Sequence, residues 1–237
     1  MSRTAQNLLL VLIGASVMVI VARGTYVNYV KPSLLPWLVA ASIVLTVLGL
    51  AGVVHDLRTA GMEPPTVHED HRHRASLVWL LLLPIAMLAF VVPPALDARG
   101  ARAAPAISAP PPRAFPPLAS GPAPTVPVPE VVMRAAADSA KSLDGRTITV
   151  SGFILRYPEG VYLGRVVIVC CAADAQLARI KLDGAGAEAA GAFDENTWVQ
   201  LQGLVEPGSA QPSNDFIPTL NVTSTTRIDK PPNTYAY

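Results

Sequence analysis

Leu34-Leu-Pro-Trp-Leu-Val-Ala-Ala-Ser-Ile-Val-Leu-Thr-Val-Leu-Gly-Leu-Ala-Gly-Val-Val54 contains no charged side chain. At about 1.5 Å of helical rise per residue, a run of this length crosses the roughly 30 Å hydrocarbon core of a bilayer. The pattern recurs downstream from Ala75 to Leu96, and a shorter apolar run, Ala5–Ala22, precedes it with Gln6 and Asn7 at its start. These stretches predict three transmembrane helices, over 5–22, 34–54 and 75–96, in a multi-pass cell-membrane protein. Composition points the same way: 51% of the 237 residues are hydrophobic and 15% charged, where a soluble domain carries about 25% charged residues. The net charge of +1, with no basic block, argues against nucleic acid as a partner.

The first span has a second reading as a cleaved signal peptide, with Arg3 as its basic n-region and Leu8 onward as its apolar core. No clean small-x-small cleavage site precedes Arg23 and Tyr26, so a retained helix is the expectation. Pro36 falls in the first turn of the second span, where its missing N–H costs nothing; Pro84 falls mid-span in the third, where it predicts a kink. No Asp, Glu, Lys, Arg or His lies within 5–22, 34–54 or 75–96. Ion pathways and proton relays place ionisable groups in such segments, so the helices read as an anchor or as an accessory to another membrane protein. Arg3, Arg58, Arg72 and Arg74 on one side balance Arg23, Lys31, Arg99 and Arg102 on the other. The positive-inside rule is therefore silent. The free α-amino group tips the expectation to a cytoplasmic N-terminus and an extracytoplasmic C-terminal domain.

All four histidines fall between the second and third spans: His55, His68, His71 and His73. Asp56, Glu63, Glu69 and Asp70 are interspersed among them. Imidazole and carboxylate are ligands for zinc, copper and nickel, so the loop is a candidate transition-metal site. The spacing matches no closed tetrahedral set, and a solvated hairpin between two helices accounts for the same composition. From Pro105 to Pro129 ten residues are proline, which predicts an extended or disordered spacer over 99–129, separating a membrane domain (1–98) from a folded one (130–237).

In that last region Glu130–Leu143 reads as a short helix, and Asp144-Gly145 as a turn. Thr147–Ile154 and Trp198–Val205 alternate apolar with polar residues, each with one glycine that marks a bulge or a barrel corner. Val166–Cys171 is a continuous apolar run, Ala178–Leu182 is short, and Ile217–Ile228 is rich in Thr and Ser. Five strands in so short a span predict a small OB-like β-barrel and an α+β membrane protein overall. Such barrels often bind nucleic acid, but nine Lys and Arg stand here against twelve Asp and Glu, a balance that repels phosphate.

Cys170 and Cys171 are the only cysteines. On a strand, neighbours point to opposite faces, and three readings stand side by side: inert packing, soft-metal binding together with Asp174, or a redox pair. The domain holds no histidine, so Cys–His catalysis lacks its base. No nucleotide loop or paired-carboxylate motif is present either, and no enzymatic activity is expected.

The His-bearing loop between apolar spans, the linker, Val166-Val-Ile-Val-Cys-Cys-Ala-Ala-Asp-Ala-Gln-Leu-Ala-Arg-Ile-Lys-Leu182 and the closing Lys230-Pro-Pro-Asn-Thr-Tyr-Ala-Tyr237 together resemble the YcgQ-type permease subunits of bacteria. The likeness covers nearly the whole chain, and Cys170–Asp174 is its most specific mark. It implies a non-enzymatic accessory subunit in a two-component membrane system, beside a larger multi-span permease similar to an arsenic-type permease. It also implies a link to metals; no definite cofactor is expected, and a transition metal such as zinc is the candidate. Relatives can carry longer His and Asp runs in the loop than the four histidines found here. A stand-alone membrane-anchored metal or thiol-redox sensor is the alternative.

Overall fold

The computed structural model describes residues 3–60, 95–97 and 111–237. The chain divides into two compact units, Met1–Ala95 and Leu96–Tyr237. Each is taken by itself.

In the first unit, α1 (Arg3–Ala22) and α2 (Leu35–Ala60) pair as an antiparallel hairpin, joined by short turns at Thr25–Asn28 and Pro32–Leu34. Small residues form the seam. A Cβ on Gly49 would stand 2.7 Å from the Val11 side chain and 2.8 Å from the Asn7 carbonyl, and one on Gly14 would stand 2.8 Å from the Ser42 carbonyl. Backbones this close gain dispersion contacts that larger residues would prevent, as at membrane helix interfaces. Hydroxyls are satisfied within their own helices: Ser16 donates to the Leu12 carbonyl at 2.7 Å and Thr46 to that of Ser42 at 2.8 Å. Lipid offers no alternative partner. At one end the Asn7 amide donates to the Asp56 carboxylate at 3.1 Å.

Among the described residues two helices, not three, are long and apolar enough to cross a membrane, Ala5–Ala22 and Pro32–Thr59. Only 6% and 11% of these windows are buried among the described residues. The expected third span, 75–96, lies outside the described residues except for its last two. The second helix outruns its expected end at Val54 and carries His55, Asp56 and Arg58 in its last turns.

The second unit is a six-stranded sheet with two short helices. Its elements are α3 (Val128–Ala137), β1 (Thr147–Tyr157), β2 (Gly160–Val167), β3 (Gln176–Asp183), α4 (Ala185–Gly191), β4 (Trp198–Val205), β5 (Thr219–Arg227) and β6 (Tyr235–Ala236). The hydrogen-bonded order is β1-β4-β5-β3-β2-β6, with a further β1–β2 pairing. All pairs are antiparallel except β3–β5 and β2–β6.

The expected small OB-like β-barrel of five strands is corrected to this six-stranded sheet, which is not a closed barrel. β1 pairs with β4 up to Phe153 and with β2 only from there onward, so the β1–β2 seam reaches no further along β2 than Gly164. Beyond the seam, the two-residue β6 pairs with Val166 and Val167. Gly152 sits where β1 changes partner; a side chain there would run into the Gly164 carbonyl. Gly203 sits at the register shift between β4 and β5.

Burial alternates along β4 as a half-buried strand requires, while β1 is buried on both faces over 148–150 and 152–155. Ile148, Val150, Ile154, Leu163, Ile180, Val199, Leu201 and Leu220 are fully buried, together with Val131 of α3. Each contributes about 1.5–3 kcal/mol by leaving water. α3 starts two residues before the expected Glu130 and ends at Ala137 rather than Leu143. Pro129 near its start is pre-shaped for a helix. Asp138 ends it by leaving helical geometry and accepting the Ala140 and Ser142 N–H groups, both at 2.9 Å.

The proline-rich stretch over 111–129 is bonded to this unit rather than standing free as a spacer. Two of its N–H groups find partners there: Arg113 donates to the Ala137 carbonyl at 2.8 Å and Val126 to that of Thr149 at 2.8 Å. Val126 is itself buried. Extended backbone spares groups for a neighbour, and this unit uses them.

Candidate functional site

The two cysteines follow β2 instead of closing it. Pairing stops at Val167, and the Ile168 N–H is taken by the Ala236 carbonyl at 3.1 Å. The chain then turns on Asp174. One carboxylate oxygen accepts the Val169 N–H at 2.8 Å; the other accepts those of Cys170 at 2.8 Å and Cys171 at 3.2 Å. A 3-10 turn over Ala172–Asp174 is closed by the Asp174 N–H on the Cys171 carbonyl at 3.0 Å, and β3 begins at Gln176. Cys171-Ala-Ala-Asp174 has the spacing of a helix-capping box, in which a residue three positions on reaches back to the backbone N–H.

This turn overturns the opposite-faces expectation. The two Sγ atoms lie 3.6 Å apart, joined by an S–H···S contact. Both thiols are free, Cys170 exposed and Cys171 half-buried, so the reading as inert buried residues fails. Disulfide sulfurs sit about 2.05 Å apart. Ligand atoms from Cys170, Cys171 and Asp174 all lie within 4.8 Å of one another.

The electrostatics follow from the same contacts. Hydrogen bonding from the Cys170 thiol and the Val169 N–H holds the Asp174 carboxyl down at about 2. The carboxylate in turn, followed by the Cys171 sulfur, pushes the Cys170 thiol up to about 11. Redox-reactive cysteines are thiolates at neutral pH, made so by positive surroundings; Cys170 is the reverse. Asp174 already accepts three backbone N–H groups, so its first role is to shape the loop. The arrangement offers two sulfurs on one side of a pinned turn.

His55 stands exposed on α2 in the other unit, its carbonyl accepting the Thr59 hydroxyl at 3.0 Å. His68, His71 and His73 lie outside the described residues. Two surface clefts, of about 360 and 250 Å³, are lined by other residues, the first around Arg134 and Glu206, the second around Arg165 and Tyr237. Sequence reasoning passed over Arg165, which lies over the Trp198 ring at 4.7 Å and donates to the Asn233 carbonyl at 3.0 Å, fixing the tail that forms β6.

Residues 131–237 match the DUF1980 C-terminal domain. The match opens inside α3 and takes in all six strands together with the thiol loop, so Cys170, Cys171 and Asp174 belong to the matched part. The helical hairpin falls outside it. No curated protein matches the chain.

Proposed function

We propose that this chain is a YcgQ-type, non-enzymatic accessory subunit of a multi-span permease complex in a bacterial membrane. The observation that carries the reading is the closed seam of the helical hairpin. Gly14 and Gly49 bring α1 and α2 into backbone contact, so the pair encloses no lined path for a solute. The large apolar side chains point away from the seam: Trp37, Val44, Val47, Leu48 and Leu57 are all exposed. Such a hairpin suits lipid and the helices of a larger partner. The match of 131–237 to the DUF1980 C-terminal domain supports membership of the YcgQ-type group.

On this reading the hairpin anchors, and the tethered sheet domain works at the extracytoplasmic face. The substrate is a transition-metal ion, in keeping with the exposed thiol pair.

Affinity purification of the tagged full chain from native membranes in mild detergent tests the assignment. A multi-span permease in near-equal amount is the expected companion. Purified protein that alone carries a selective ion flux in vesicles would refute the accessory role, as would a chain that comes out without any such companion. A topology reporter at Tyr237 reads the side of the membrane on which the domain lies.

A further inference from the structure

We propose that Cys170 and Cys171 form an open two-thiolate site for a four-coordinate, thiophilic divalent cation, zinc above all. This deepens the metal link of the permease reading, which draws on the same thiol pair, whereas the accessory role rests on the hairpin, so either can fail without the other.

The first observation is a distance. Two thiolates on a tetrahedral zinc, each about 2.3 Å from the metal, are about 3.8 Å apart. The sulfurs here are 3.6 Å apart. A linear two-coordinate ion with bonds of that length would need them about 4.6 Å apart. The loop is thus set for a tetrahedral edge.

The second is placement. Free cysteine is among the most buried of residue types, yet Cys170 is exposed and Cys171 half-buried, following the fully buried Ile168 and the exposed Val169. Adjacent side chains diverge on a strand; these converge because the chain leaves the sheet at Val167 and wraps the Asp174 carboxylate. Three N–H bonds to that one group, at 2.8, 2.8 and 3.2 Å, hold the turn between β2 and β3. Positioning on a hydrogen-bonded turn between two paired strands lowers the ordering cost of binding. Asp174 is therefore a positioning residue for this site.

The chemistry balances without a further reactant. Two S–H bonds break, two Zn–S bonds form, and two protons leave to solvent. No electron is transferred. Two coordination positions stay open, for water or for donors from another protein, as in sites that pass a metal on rather than lock it into a structure.

Cobalt(II), a spectroscopic stand-in for zinc, is added to the reduced full chain in detergent. One equivalent is expected to give a thiolate-to-cobalt charge-transfer band that zinc then bleaches. Because the band reports sulfur ligands, metal held elsewhere by histidines does not contribute. Cys170→Ser and Cys171→Ser should each roughly halve the band per cobalt bound, since its intensity counts thiolate bonds. The double variant should lack it while keeping the protease resistance of the parent. His55→Ala should leave it unchanged. Absence of the band in the parent chain, or its persistence in the folded double-serine variant, overturns the proposal.

Discussion

The helical hairpin and the sheet domain sort their apolar residues in opposite ways. In the sheet, the large side chains are hidden: Ile148, Ile154, Leu163 and Leu201 are fully buried. In the hairpin, glycine and serine take the inside, and Val47, Leu48 and Leu57 face out. The hydrophobic effect rewards burial only against water. Where the surroundings are as apolar as leucine, close backbone packing is what is left to hold two helices together. The contrast predicts that large-to-small changes hurt the sheet domain and small-to-large changes hurt the hairpin.

The largest effect is expected from Leu201→Ala. Leu201 on β4 pairs with Val150 of β1 and Thr225 of β5 and is fully buried. Removing its branched side chain should cost about 3 kcal/mol, the transfer loss plus the cavity left behind. Chemical denaturation of the full chain in detergent, followed through the tryptophans, reads this. A cost under about 1 kcal/mol would mean that the core collapses around the gap. Gly49→Leu is the mirror test. Its side chain has no room against Val11 and Asn7, and overpacking should cost about 2 kcal/mol, seen as earlier loss of helix in a titration with a harsh detergent. A neutral Gly49→Leu would mean that the helices are not sealed at this level.

The sequence disclosed the sheet domain unevenly, and the reasons are physical. β4 matches its expected bounds, Trp198–Val205, because strict alternation reports one buried and one exposed face. β2 was displaced. Val166–Cys171 is apolar throughout and imitates a strand, whereas the real β2 opens at Gly160 among Tyr and Gly residues that carry little pattern. β6 was invisible, since two residues hold no period and their pairing with Val166 and Val167 is a tertiary matter. The Ala- and Gly-rich α4 likewise lacks an apolar stripe to announce it. At the candidate site the residue types were legible and the geometry was not. Asp174 reads in the sequence as a fellow ligand, and the structure shows that it also organises the turn. The signal was the three-residue spacing from Cys171, which speaks for a cap rather than a strand.

The same contrast between satisfied interior and poised surface applies to the thiol loop. Asp174→Asn keeps one acceptor for the loop and removes the charge that holds the Cys170 thiol up at about 11. Moving the thiol toward the ordinary value of about 8.5 raises the thiolate fraction, and reduced nucleophilicity offsets part of that gain, for a net acceleration of roughly tenfold. Iodoacetamide alkylation of Cys170 near neutral pH, followed by mass spectrometry, checks this. A slower variant would mean that the carboxylate does not set the thiol's protonation. Acid offers a gentler probe. The Asp174 carboxyl sits at about 2 in the folded chain, below the unfolded value of about 3.9. Its contribution is therefore complete above the unfolded value and lost as pH falls toward the folded one. Protection of the Val169 and Cys170 amides, relative to unstructured exchange at the same pH, should fall only in that acid window. Loss of protection near neutral pH would show that another group pins the turn.

The smallest effect should come from Val47→Leu. Val47 is 57% exposed on α2, and its neighbours on that face are equally apolar. If lipid covers the position, one more methylene replaces hydrocarbon with hydrocarbon, and the change should stay within about 0.5 kcal/mol. Detergent-titration midpoints of parent and variant should coincide. Coinciding midpoints leave one further comparison, the yield of the co-purified permease. Equal yields assign Val47 to lipid; a reduced yield from an equally stable hairpin places Val47 under a helix of the partner, because a packed interface registers the added volume and fluid chains do not. A shifted midpoint in the chain alone would contradict the division between a sealed inside and a solvent-like outside. The hairpin's outward face would then be a second packed surface.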